Sequence, residues 1–172
     1  MIIVVTGSKG VGKSSSLAET AKIIKKYNKS VGGIISPSIW ENGERCGYDL
    51  INLADGSKRL LATKAENVLK DAFRYGAFYF SCNAIIAGNM AILDGLCTDV
   101  LIVDEIGNME IAGQGWAESI PLVRERKLPL VLSVREDVVD KLYREFGINI
   151  DKVIRVLSGE DTSAAIIGEL SL

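Results

Sequence analysis

The chain contains no histidine. This excludes imidazole as a general base and argues against a zinc site, since imidazole is among the commonest zinc ligands. Cysteine is scarce: Cys46, Cys82 and Cys97 are odd in number, lie far apart and form no CxxC pair. They are expected to be small buried apolar residues in a reducing compartment and not a disulfide framework. A basic excess is also missing, with 20 Lys and Arg against 22 Asp and Glu. A domain built to neutralise many nucleic-acid phosphates carries a clear positive balance, so no nucleic-acid partner is expected. No apolar run approaches a membrane span, and the N-terminus has neither a basic flank nor a cleavage site, so no membrane is expected and the cytoplasm is the default compartment. What remains is 172 residues, 48% hydrophobic and 24% charged, the profile of one soluble globular domain (residues 1–172) with a large core.

The segment Gly7-Ser8-Lys9-Gly10-Val11-Gly12-Lys13-Ser14 fits GxxxxGK[ST] without a mismatch. It follows an apolar strand at residues 2–6 and opens a helix. The glycines permit torsions that turn successive N–H groups inward, forming a nest for oxyanions, and the helix N-terminus adds partial positive charge. In this pattern Lys13 reaches the β- and γ-phosphates, and the Ser14 hydroxyl ligates magnesium.

Leu17, Ala21 and Ile24 continue a helix towards Asn28, and residues 31–35 read as a buried strand closed by Ser36-Pro37. Between residues 38 and 62, Asn42-Gly43 and Asp55-Gly56 are hairpin-turn dipeptides flanking an alternating segment. They predict an antiparallel β-ribbon that either covers a bound nucleotide or is a plain surface excursion. Ala65, Val68, Leu69, Ala72 and Phe73 have helical spacing, followed by a short strand at 76–80 and a largely buried helix at 83–96. Residues 99–104 form a β-branched strand, 116–127 a helix and 129–134 a strand. Asp137 and Asp140 resemble a cap before a helix that Gly147 stops, and a strand at 153–157 and a helix at 161–170 close the chain. Strands alternating with helices predict an α/β fold with a doubly wound, mainly parallel sheet, carrying the ribbon as an insertion.

The strand ending in Asp104-Glu105 supplies what the phosphate loop needs from elsewhere. A carboxylate at a strand's C-terminal end orients the magnesium shell, which assigns Asp104 to the ion site with Ser14. Glu105 is then placed either to polarise an attacking water or to sit solvated at the strand end. Charge stabilisation needs a cation beyond Lys13, and Arg45, Arg124, Arg126 and Arg135 are the candidates. Trp40, Tyr48 and Tyr143 are either stacking platforms for a base or packing residues.

The loop, Gly43-Glu44-Arg45-Cys46-Gly47-Tyr48-Asp49, and above all Asp104-Glu105-Ile106-Gly107-Asn108-Met109-Glu110 resemble the THEP-type nucleoside-triphosphatases, in order from the first strand to about Val134. The resemblance implies a P-loop NTPase fold and slow, magnesium-dependent hydrolysis of several nucleoside triphosphates. It also places nucleotide contacts on Gly7 to Ser14 and on Val100-Leu101-Ile102-Val103-Asp104-Glu105-Ile106-Gly107. Two positions depart from the family pattern. Asn108 stands where many members have lysine, and Glu160-Asp161 where the tail often has Asn-Arg. Three readings stay open: hydrolysis of the triphosphate with Lys13 and Glu105 as catalytic residues, phosphoryl transfer to a small acceptor or nucleotide, and a nucleotide-dependent switch acting with a protein partner.

Overall fold

The computed structural model describes residues 1–170. In chain order its elements are β1 (Ile2–Gly7), α1 (Lys13–Lys26), β2 (Val31–Ile35), β3 (Ser38–Glu41), β4 (Glu44–Asn52), β5 (Lys58–Thr63), β6 (Ala72–Tyr75), β7 (Phe78–Ser81), α2 (Cys82–Asp94), β8 (Val100–Ile106), α3 (Asn108–Ile111), α4 (Ile120–Arg124), β9 (Leu130–Arg135), α5 (Leu142–Phe146), β10 (Lys152–Arg155) and α6 (Ser163–Leu170). Short 3₁₀ turns occupy Gly95–Cys97 and Glu136–Lys141.

All the strands join one sheet in the order β10-β1-β9-β8-β2-β4-β5-β7-β6, with β3 paired on β4. From β10 to β2 the pairing is parallel, and from β2 outward it is antiparallel. The parallel strands read as continuous apolar runs because both faces are covered. Ile3, Val5, Val100 and Ile102 pack under α1 and α6, while Val4, Leu101, Val103 and Leu132 pack beneath α2, α4 and α5. This is the doubly wound architecture. The ribbon is present, and its first turn has Asn42 and Gly43 both at positive φ, as a type I′ hairpin requires. It is the start of a larger antiparallel half that runs on through β7.

That extension corrects the helix expected over 65–73. Thr63 Oγ1 accepts the Ala65 N–H and Asn67 has a φ of 61°, which takes the chain out of helix, and Ala72 and Phe73 pair with Ser81 and Phe80 as β6. Asp71 then caps α2, its carboxylate accepting from the Asn83 N–H at 2.7 Å. The helix expected over 116–127 is only α4. Gly115 at φ 60° and Pro121, which has no N–H to give beyond a first turn, fix its start late. Asp137 caps nothing through its side chain; it binds Arg135 and Asn108 instead. The expected burial of α2 and of the cysteines fails on one side, since Ile86 and Met90 are 58% and 59% exposed, and Cys82 and Cys97 lie on the surface as free thiols.

Gly33 has a φ of +93° in β2, and a Cβ there would collide with the carbonyl oxygen of Ile102 on neighbouring β8. Its own carbonyl accepts the Leu53 N–H at 2.9 Å, which ties the end of the ribbon to the parallel sheet. Backbone strain and overpacking together make Gly33→Ala cost about 3 kcal/mol. Urea unfolding of the variant reads this directly, and an unchanged midpoint would show that the strand relaxes freely.

Candidate functional site

The carboxyl ends of β1, β9, β8 and β2 lie side by side, the edge on which open α/β sheets bind ligands. In that order they present the loop Gly7 to Ser14, Arg135, the pair Asp104-Glu105, and Ser36. Pairing between β8 and β9 shifts register between Val103 and Ile106, and the irregularity falls on the two acids. Asp104 is buried and Glu105 half-exposed, so adjacent residues aim at different parts of the same site.

Ser14 Oγ donates to Asp104 Oδ2 at 2.6 Å across 90 positions of sequence. The Ser36 N–H donates to the same oxygen at 3.0 Å, and Ser36 Oγ donates to the Asp104 carbonyl at 2.8 Å. The other carboxylate oxygen, Oδ1, is buried with no hydrogen-bond partner. An orphaned carboxylate oxygen beside a serine hydroxyl is a hard-oxygen donor set that suits magnesium, which keeps waters and phosphate oxygens for most of its octahedron. Among the described residues no group of three His, Cys, Asp or Glu forms a closed metal cage. The two oxygens are thus a partial site, of the kind a metal bound together with phosphates would use.

Lys13, although buried, has its ammonium 3.2 Å from Glu105 Oε2, and it donates to the carbonyls of Gly7 and Ser8 at 3.0 and 3.3 Å. Burial raises the Glu105 carboxyl above the ordinary glutamate range and the neighbouring Asp104 charge adds to this, while Lys13 and Arg135 oppose it. Lys9 is shifted down by burial and by the charges of Arg45 and Arg135, a sign that cations crowd the loop.

Among the arginine candidates, Arg45 and Arg135 line the cavity and Arg124 and Arg126 do not. Arg45 lies 5.1 Å from the Trp40 ring centroid and 5.6 Å from that of Tyr48, and a Cβ on Gly10 would lie 3.5 Å from its Nη2. Arg135 pairs with Asp137, which accepts from Asn108 Nδ2 at 3.0 Å. Asn108 therefore carries no charge to the phosphates but holds the partner of an arginine that does line the site. The Arg124 guanidinium instead donates to the Phe146 carbonyl. Trp40 and Tyr48 face the cavity, whereas Tyr143 lies away from it. Asp161 binds the N–H and hydroxyl of Ser163 at the start of α6.

One cavity of about 570 Å³ collects these groups. Lys9, Gly10, Gly12, Lys13, Ser14, Asp104, Glu105 and Gly107 line it. Val100, Leu101, Ile102, Val103 and Ile106 are core residues and are not among its lining. They act by carrying Asp104 to the sheet edge. Gly7, Ser8 and Val11 are also off the lining, though Gly7 and Ser8 offer Lys13 their carbonyls.

Ser36, Glu110, Phe78, Phe80 and Trp116 belong to the cavity without having been assigned a role from sequence. Glu110 had a visible signal, since it closes the motif after Gly107. Its carboxylate accepts from the Gly107 N–H at 2.8 Å and the Trp116 N–H at 3.4 Å, folding the segment after the acid pair around itself. Ser36 was visible only as the stop of a strand.

A sequence model of the family described as NTPase matches residues 2–161. Among curated proteins, the chain is 33% identical over 131 residues to nucleoside-triphosphatase THEP1 of Methanosarcina acetivorans, covering 75% of this chain and 73% of that protein. The chain belongs to the THEP1-type NTPase family. It is also 32% identical over 148 residues to THEP1 of Pyrococcus abyssi, covering 83% of this chain and 78% of that one. The crystal structure of THEP1 from Aquifex aeolicus superposes over the whole of both chains with a TM-score of 0.71 at 21% identity. The solution structure of a human cancer-related nucleoside triphosphatase gives 0.71 at 16% identity, over 98% of this chain and 95% of that chain. These structural neighbours show that the NTPase shares their P-loop fold.

Burial pushes the Glu110 carboxyl up to about 7 from an ordinary 4.5. Between those values the folded NTPase keeps a proton that the unfolded chain has released. The contribution of Glu110 to stability is therefore complete below about pH 4.5 and is lost as pH rises to about 7, a change of about 3 kcal/mol. Unfolding measured between pH 5 and 8 should show stability falling with pH, and in Glu110→Gln the slope should drop by more than half. A slope that survives the substitution would assign the effect elsewhere.

Proposed function

We propose that this NTPase hydrolyses nucleoside 5′-triphosphates, ATP and GTP among them, to the diphosphate and inorganic phosphate, with magnesium and with little discrimination between bases. The observation that carries this reading is the meeting of Lys13 with Glu105 and of Ser14 with Asp104 at one sheet edge. The names of the relatives from Methanosarcina acetivorans and Pyrococcus abyssi support the same activity.

Each group has a chemical role in this reading. The loop's backbone N–H groups and Lys13 bind the β- and γ-phosphates, and Ser14 and Asp104 hold the magnesium. A bound magnesium neutralises charge on the phosphate oxygens during transfer. Glu105 orients a water in line with the γ-phosphorus and takes its proton as the oxygen attacks. Arg45 and Arg135 lie at the cavity to neutralise charge that grows on the transferring group. Phosphates compete with Glu105 for Lys13, and loss of that ion pair raises the proton affinity of the carboxylate further. Broad base use is the expectation because the loop reads phosphates alone, and the chain contains no guanine-specific Asn-Lys-x-Asp segment. The cytoplasm is the compartment we assign; no helix among the described residues is long and apolar enough to cross a membrane.

Phosphate release from a panel of nucleoside tri- and diphosphates with magnesium tests the reading. Lys13→Ala should abolish turnover, and Glu105→Gln should lower kcat by about 10²–10⁴-fold with KM little changed. Full activity in Glu105→Gln would remove it as the base, and release that persists in Lys13→Ala would remove the site.

A further inference from the structure

Among the described residues, Arg45 is the one arginine that is not exposed, and it pairs with no carboxylate. Arg124, Arg135, Arg144 and Arg155 each have an acid partner. The placement of Arg45 comes from the hairpin of β3 and β4, where pairing steps from Ile39 with Gly47 to Trp40 with Arg45 and leaves Cys46 as one extra residue on β4. A bulge of this kind re-aims side chains, and it lets Arg45 and Tyr48, three positions apart, turn to the same face. The guanidinium lies 5.1 Å from the Trp40 ring centroid and 5.6 Å from that of Tyr48, and its Nη1 donates to the Tyr48 hydroxyl at 2.9 Å. Two rings and one hydroxyl hold it.

That hold leaves the other edge of the guanidinium unsatisfied. Nε is buried with no hydrogen-bond partner, and Nη2 is 3.5 Å from where a Cβ on Gly10 of the phosphate loop would stand. These two nitrogens share one edge of the planar group, the edge that takes two oxygens of a single phosphate. A buried donor without an acceptor is unfavourable, so the ring-held pose gives way readily to one in which an oxyanion fills that edge. Lys9, Arg45, Arg135 and Glu105 all line the cavity, and the charges of the last three each bear on Lys9. Arg135 already has its fork on Asp137. Arg45 is left as the arginine with donors to give, and in the hydrolysis reading the phosphate beside Glu105 is the terminal one.

From this orphaned edge beside Gly10, we propose that Arg45 is the group by which the site distinguishes a triphosphate from a diphosphate: it grips the terminal phosphate and ties the ribbon to the phosphate loop. The inference rests on the triphosphate site proposed above and adds to it one specificity residue and two positioning residues. Trp40 and Tyr48 hold the guanidinium over the loop until a triphosphate is bound, and a diphosphate leaves it on the rings. The ribbon is then part of the site and not a surface excursion. Trp40 reports the exchange, because a cation leaving the face of its ring alters the indole emission.

The experiment titrates the full chain, with magnesium, against the imido analogue of ATP and against ADP, following calorimetric Kd and tryptophan emission. Arg45→Ala should weaken the analogue by about 10–100-fold, the worth of charge-assisted hydrogen bonds, while ADP affinity changes by less than about twofold. Retained ADP binding shows that the variant is folded. Arg45→Lys, which keeps the charge but neither the fork nor the stack, should recover only part of the loss. Trp40→Ala should weaken the analogue and not ADP, and Trp40→Phe, which restores a ring, should recover most of that loss. The analogue should shift tryptophan emission and ADP should not. The shift should vanish in Trp40→Phe, where Trp116 remains, and in Arg45→Ala, where Trp40 remains. Equal weakening of both nucleotides in Arg45→Ala and Arg45→Lys, or of neither, overturns the proposal, as does an emission shift that persists without Arg45. A wild-type chain that binds both nucleotides but releases no phosphate from ATP would remove the hydrolase reading, while the affinity ratio still decides Arg45. One that binds neither nucleotide would remove the triphosphate site and the role of Arg45 together.

Discussion

The site depends on one buried carboxylate. Asp104 lies at the end of a central strand with 1% of its surface exposed, and two donors, the Ser14 hydroxyl and the Ser36 N–H, close on one carboxylate oxygen. A carboxylate taken out of water without partners is strongly unfavourable, and each hydrogen bond to it contributes about 1.5–3 kcal/mol. Ser14 and Ser36 are therefore structural ties. The first fixes the opening turn of α1, and with it the phosphate loop, against β8. The second fixes the exit of β2, where the parallel half of the sheet gives way to the antiparallel half. One oxygen of the carboxylate is left over, buried without a hydrogen-bond partner.

The order of the strands explains why these groups meet. β9 lies between the loop strand and the acid strand, so the loop and Asp104 are not on neighbouring strands, and the end of β9 enters the gap. That end is Arg135. Its guanidinium is held by Asp137, which is held in turn by Asn108, directly after the acid pair. Asn108 is an anchor for a cation supplied from another strand. A cation from the end of β9 is thus held beside the acid pair through a neutral residue.

The legible parts of the fold are those in which local chemistry and tertiary position agree. The phosphate loop, the ribbon's first turn and the apolar strands carry signals within a few residues, because positive φ, hydrophobic runs and glycine spacing are local requirements. Asp104 and Glu105 were legible only because a phosphate loop demands a carboxylate from elsewhere. The segment 65–73 misled because its apolar spacing fits a helix, while Asn67 in a left-handed conformation and pairing with β7 decide otherwise. Which arginines face the site was not readable, since exposure and aim depend on strand order. Ser36, Phe78 and Trp116 were invisible for the same reason: each is ordinary in sequence and acquires its role from the element packed opposite.

Glu105 and Lys13 form an ion pair whose partners both have other work, and this links binding to chemistry. Lys13 satisfies two loop carbonyls and one carboxylate oxygen at once. In the proposed reading a triphosphate would bring a denser negative charge to the same ammonium and displace the carboxylate, leaving it beside Asp104 with less positive charge to hold its proton affinity down. In that reading Glu105 would become a stronger base as the substrate arrives.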